Sequence, residues 1–151
     1  VTNVGSNSVD ISSVVFFEAN TSHKIKAFEG GSMLSPGSAA VIALDTAKFK
    51  EDNPSFSGML VDSSWSSLSN DGEELEIRDG EGTPLDRVSY TKVLGAAGNG
   101  QSLERSGGSF REATPTPGSA PLSLPSPLAQ IEPPPSEPSP LPQPEPVVVS
   151  A

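Results

Sequence analysis

Hydrophobic and polar positions alternate in short bursts along the first two thirds of the chain. No stretch sustains the 3.6-residue repeat of an amphipathic helix. Val9 and Ile11 stand among polar neighbours after the turn-forming run Asn3-Val4-Gly5-Ser6-Asn7-Ser8. Val14 to Phe17 is a continuous run of β-formers, as in a buried strand. His23 to Phe28 alternates again, with Ile25, and Phe28 as a further candidate, pointing inward. Ser35-Pro36-Gly37 predicts a turn, because proline presets the first central φ and glycine tolerates the second. Ala39 to Leu44 is the next strand. Asp45 can cap a short helical turn over Thr46 to Lys50, which Asn53-Pro54 would end. Phe49, Phe56 and Met59 read as the apolar pegs of that irregular stretch.

The clearest pattern follows. Leu75 and Ile77 alternate with Glu74, Glu76 and Arg78, Asp79-Gly80-Glu81-Gly82 turns, and Leu85, Val88 and Tyr90 return. Asp-Gly between two alternating runs predicts a hairpin, since such a turn needs positive φ. The Leu85-to-Val88 spacing breaks the period of two and predicts a bulge near Asp86. Ser102 to Arg105 is a last short strand after the glycine-rich Gly95 to Gly100. Seven or so short strands predict an all-β sandwich or barrel. The same alternation sends Glu74 and Glu76 to solvent and puts His23 at an exposed strand position.

Composition divides this picture in two. Thirteen of the 16 prolines lie at or after Pro115, whereas every aromatic residue precedes Glu112. Residues 1–118 therefore hold the core-forming side chains. Segment 119–146 reads as a disordered, solvated, proline-rich linker, lacking the apolar area to offset about 1–2 kcal/mol of backbone entropy per residue. At ~3.1 Å per residue such a spacer reaches on the order of 100 Å. Val147-Val148-Val149 reverts to strand-like composition, so 147–151 is a candidate start of a further module. The chain opens at Val1 with no signal peptide, and a fragment of a longer protein is the expected reading.

The net charge of −10 repels a phosphate backbone at long range, which disfavours nucleic acid as a partner. Only a local patch of Lys24, Lys26, Lys48 and Lys50 could oppose this, and solvated strand and helix faces are the simpler reading of those lysines. Without cysteine there is no disulfide, thiolate metal site or thiol nucleophile. No apolar run reaches the ~20 residues of a membrane span.

Catalytic chemistry finds little footing. His23 is the only histidine, and no G-x-S-x-G elbow accompanies it. Glu73, Glu74 and Glu76 could supply paired carboxylates, but their alternation points them to water. Asp71, Glu73, Asp79 and Glu81 lack the spacing of a twelve-residue calcium loop. Gly95 to Gly100 has neither a phosphate-binding lysine nor a following helix. No cofactor and no metal are expected. Trp65, the single tryptophan, lies within Ser63-Ser64-Trp65-Ser66-Ser67. It either plugs the core or offers a flat apolar platform to a ligand. Trp65, Lys24 and Lys26 are the candidate contact residues.

Several ordered motifs carry a family resemblance. Ser67-Leu68-Ser69-Asn70-Asp71-Gly72-Glu73-Glu74-Leu75-Glu76-Ile77-Arg78-Asp79-Gly80-Glu81-Gly82, then Leu85-Asp86-Arg87-Val88-Ser89-Tyr90, resembles the centre of bacterial lamin tail domains (LTD). Ser102-Leu103-Glu104-Arg105 and Thr114-Pro115-Thr116-Pro117-Gly118 resemble that family's closing motifs, and Leu34-Ser35-Pro36-Gly37 its turn before the central strand. The resemblance covers about residues 1–118 and implies an immunoglobulin-like β-sandwich. It departs at the start, where only Val1-Thr2-Asn3 remains of the usual opening strand, which supports the fragment reading and would leave a sheet edge unpaired, a liability for association. The family implies a non-catalytic binding module of an exported or cell-surface bacterial protein, with a protein or a surface polymer as partner. The alternative is an accessory, substrate-positioning domain of a secreted hydrolase such as a nuclease.

Overall fold

The computed structural model describes residues 1–106 and 109–119. The rest of the proline-rich linker and the 147–151 segment lie outside them. The described chain is an all-β sandwich with one short helix: β1 (Val9–Asp10), β2 (Val15–Glu18), β3 (Thr21–Lys24), β4 (Lys26–Glu29), β5 (Met33–Leu34), β6 (Ala40–Ala43), α1 (Thr46–Asp52), β7 (Met59–Asp62), β8 (Gly72–Arg78), β9 (Pro84–Thr91), β10 (Ser102–Ser106) and β11 (Ser109–Ala113). One sheet runs β3-β2-β8-β9, all antiparallel. The other runs β4-β7-β6, with β6 parallel to β7. Two small antiparallel pairs, β1-β5 and β10-β11, complete it. Among the described residues no helix is long and apolar enough to cross a membrane.

Register decides which side chains meet. Phe16 stands opposite His23 on one side and Ile77 on the other, and Glu18 opposite Leu75, so these share the inner face of the four-stranded sheet. They close on Ala40 and Ile42 of β6 and Val61 of β7, and Ile11, Val14, Ile25 and Leu34 belong to the same cluster. Leu60 and Ala43 are buried outside that cluster, on the side where α1 lies against β7. Asp45 caps α1 by accepting the Lys48 N–H at 2.8 Å, as its position predicts. Asn53 ends the helix, its N–H donating to the Phe49 carbonyl. Phe49 and Phe56 then meet edge to face at 5.1 Å.

The hairpin forms over β8 and β9, with the extra residue at Leu85, where the register slips between Ile77 and Arg78. Its positive φ falls at Gly82 (+91°) rather than at Gly80. Asp79 holds this turn, its Oδ1 accepting from the N–H groups of Glu81 and Thr83. At the start of β8, a Cβ on Gly72 would stand 2.5 Å from the Tyr90 carbonyl oxygen, so the close strand approach requires glycine.

Five expectations are corrected. The run His23 to Phe28 is two strands, because buried Ile25 is where the chain crosses from one sheet to the other. Phe28 is exposed, being the unpaired residue of a bulge between Ala27 and Glu29. Ile11 belongs to a 3₁₀ turn capped by Asp10, not to a strand. His23 is not an exposed strand residue: its side chain is only 13% exposed, and Nε2 lies 3.1 Å from Oε1 of buried Glu18. Glu76 is buried, not solvated. It points to the outer face, yet Arg78 and Arg87 fold over it and exclude water.

Candidate functional site

The two sheets do not cover each other equally. Four strands face three, and the inner face of β8 and β9 extends past β6, the last strand opposite. Here a cavity of about 270 Å³ opens to solvent. Its walls are Phe16, Leu75, Ile77 and Val88 from the four-stranded sheet, Ile42 from β6, and Trp65. A second hollow of about 310 Å³ shares Leu68, Leu75 and Val88 with the first and continues to Leu103 and Phe110 of the β10-β11 pair. Adjoining through the shared residues, the two hollows make a groove of mixed lining: Val1, Glu76, Asp86 and Arg87 also line the first, and Ser69, Asn70, Gln101 and Ser102 the second.

Trp65 is half-buried. Its ring meets Phe16 edge to face at 5.0 Å, and it also lines the cavity. It is thus both a core side chain and a wall of the groove. Lys24 and Lys26 do not line it. Both are exposed, they sit on different sheets, and neither makes an ion pair among the described residues. The other two lysines of the candidate patch are spent on carboxylates: Lys48 on Asp52 and Glu51, Lys50 on Glu29. The structure therefore does not gather the four lysines into one site.

Charge collects at the groove's rim. Asp86 is held by the Arg105 guanidinium at 3.0 Å. Behind it, on the outer face, Arg78 Nε donates to Glu76 Oε2 at 2.5 Å while its guanidinium lies 3.2 Å above the Phe17 ring. Arg87 approaches Glu76 Oε1 at 2.5 Å as an ion pair, although that oxygen accepts no hydrogen bond of good direction. The Arg78 hydrogen bond holds the Glu76 carboxyl below the usual carboxylate range, against the opposing effect of desolvation and with help from Arg87. The Tyr90 hydroxyl donates to the Ser69 carbonyl at 2.8 Å. Burial, then the neighbouring Glu73 charge, raises the Tyr90 pKa. Among the described residues no group of three or more acidic, histidine or cysteine side chains is placed to hold a metal ion.

Sequence reasoning picked out Trp65 but missed the rest of the groove. Leu75, Ile77 and Val88 read as ordinary inward residues of a hairpin, and only the strand count of the opposite sheet reveals that they lack cover. The outer cluster had a signal in the hairpin itself, since its register sets Glu76 opposite Arg87. No family model, curated protein or solved structure matches the chain.

Proposed function

We propose that this chain is a non-catalytic interaction module, an immunoglobulin-like sandwich of the lamin tail type. It serves an exported or cell-surface bacterial protein, with segment 119–146 as the spacer to its neighbour. The ordered motifs from Ser67 to Gly118 support the family reading. The observation that carries the binding reading is the open groove whose apolar wall is Trp65, Leu75, Ile77 and Val88. An uncovered apolar face inside a small sandwich loses burial energy unless a partner fills it, at about 25 cal/mol per Å².

The purified chain tests this directly. Trp65 is the only tryptophan and stands in the groove wall, so its emission reports occupancy. Titration with extended peptides, polysaccharide and short DNA at low salt is expected to give saturable binding to a peptide or a surface polymer. Turnover of ester, glycoside or phosphodiester substrates by the same preparation would overturn the non-catalytic reading. Tight, salt-sensitive DNA binding would overturn the partner class and favour the nuclease-accessory role.

A further inference from the structure

We propose that Asn99 is a self-modification site: its side-chain amide is lost through cyclisation with the Gly100 nitrogen, and the carboxylate left behind unfastens the loop 95–100 from β11. The inference does not depend on what the groove binds.

Of the chain's six asparagines only Asn99 is followed by glycine. With no side chain to crowd it, the Gly100 nitrogen is the backbone nucleophile freest to approach the side chain before it. Its attack on the Asn99 Cγ closes a cyclic imide. The N–Cγ bond forms, the Gly100 amide proton passes to solvent, and Nδ2 takes up a proton and leaves as ammonia. Water then adds to either imide carbonyl and opens the ring, leaving aspartate or isoaspartate at position 99. No electrons are gained or lost, and water is the sole co-reactant. Asn99 and Gly100 are both exposed, so water reaches them. The Gln101 N–H donates to Asn99 Oδ1 at 3.1 Å, at the oxygen where negative charge develops during the attack.

The same amide is a clasp. Asn99 Nδ2 and the Ala96 N–H both donate to Glu112 Oε1, the second at 3.2 Å. These donors, Asn99 first, hold the Glu112 carboxyl below the usual carboxylate range, so it is charged at neutrality. The loop lies close over it: a Cβ on Gly95 would stand 2.9 Å from Glu112 Oε2. Either product of the reaction removes the Nδ2 donor and adds a second carboxylate beside Glu112. A hydrogen bond is lost, and like charges repel where donor and acceptor met. Less then opposes the relaxation of Ala96, whose φ of +57° is disfavoured for a residue with a Cβ. Gly95 and Ala96 also line the second hollow, so the reaction loosens that wall of the groove.

The test ages the whole folded chain in warm, mildly alkaline buffer and follows it by peptide mapping. Conversion is expected at Asn99 before any other asparagine, with isoaspartate among the products and ammonia released. An Asn99 that stays intact while Asn7 or Asn70 converts would overturn the site. The clasp is read separately on Asn99→Asp, which supplies the charge without ageing. Hydrogen exchange of the Ala96 amide is expected to quicken about tenfold, while the melting temperature stays close to the parent's because the loop is exposed. Asn99→Ala loses the bond without adding charge and is expected to quicken exchange less. Adding Glu112→Gln to Asn99→Asp restores a donor facing an acceptor and is expected to return Ala96 toward the parent's protection. Unchanged exchange in Asn99→Asp, no recovery in the double variant, or an Ala96 amide already exchanging freely in the parent would overturn the clasp. Equal loss of protection in Asn99→Ala and Asn99→Asp would overturn the part given to charge.

Discussion

The β6-β7 pair and the β8-β9 pair both turn apolar residues toward the interior and meet opposite fates. Leu60 and Val61 of β7 are fully buried, one under α1 and one against the opposite sheet. In β9, Leu85 is 58% exposed, and Val88 and Tyr90 reach only half-burial. Part of the difference lies in the strands' own residues, since β7 reads Met-Leu-Val-Asp, apolar toward both faces, while β9 alternates with polar side chains. The rest lies in what stands opposite: β7 is central, with neighbours on both edges and cover on both faces, while β9 looks across at a place where the three-stranded sheet has ended. Apolar alternation in a strand therefore specifies a face that wants cover. The rest of the fold decides whether that cover is supplied.

Truncation breaks the comparison most sharply. Leu60→Ala is expected to cost about 2–5 kcal/mol, because a fully enclosed side chain leaves a cavity that cannot collapse. Val88→Ala, which enlarges a hollow already open to water, is expected to cost no more than about 1 kcal/mol. Urea unfolding of both variants measures the gap, and equal losses would show the β9 face to be as well packed as β7. Gly72→Ala comes next. Its φ is +138°, and the added methyl would collide with the Tyr90 carbonyl, so about 1–3 kcal/mol should be lost, chiefly from β8-β9 pairing.

A smaller, pH-dependent effect separates the outer face from the inner. The Glu76 carboxyl is held below its ordinary range, so the folded state favours the ionised form. Its contribution is fully present above the unfolded value of about 4.3 and is lost as pH falls through the folded value. Glu76→Gln should be less stable than the parent near neutrality. It should also show a shallower fall in melting temperature as the pH drops below the ordinary glutamate value of about 4.3. An unchanged acid slope would remove Glu76 from the account.

The contrast also explains what could be read in advance. The Asp45 cap, the Ser35-Pro36-Gly37 turn and the Asp79–Gly82 hairpin were legible because each depends on local backbone chemistry. Ile25 was legible as buried, but not as the crossing point between sheets, since both roles need the same apolar residue. Phe28 misled because a bulge reverses the face of one residue without marking the sequence. Glu76 misled because alternation reports a direction and not a degree of wetness. It points outward, yet two arginine stems and Phe17 keep it dry. The β10-β11 pair was half legible: Ser102 to Arg105 read as a strand, but Ser109 to Ala113 has only Phe110 as a large apolar residue. The groove was least legible of all, because it depends on where the opposite sheet ends and not on any one strand's residues.

Amide hydrogen exchange tests the contrast most directly. β7 has a bonded neighbour on each edge, whereas β9 is the last strand of its sheet. The account predicts that the amides of Leu60 and Val61 exchange more slowly than any amide of β9. Equal protection along the two strands would contradict it.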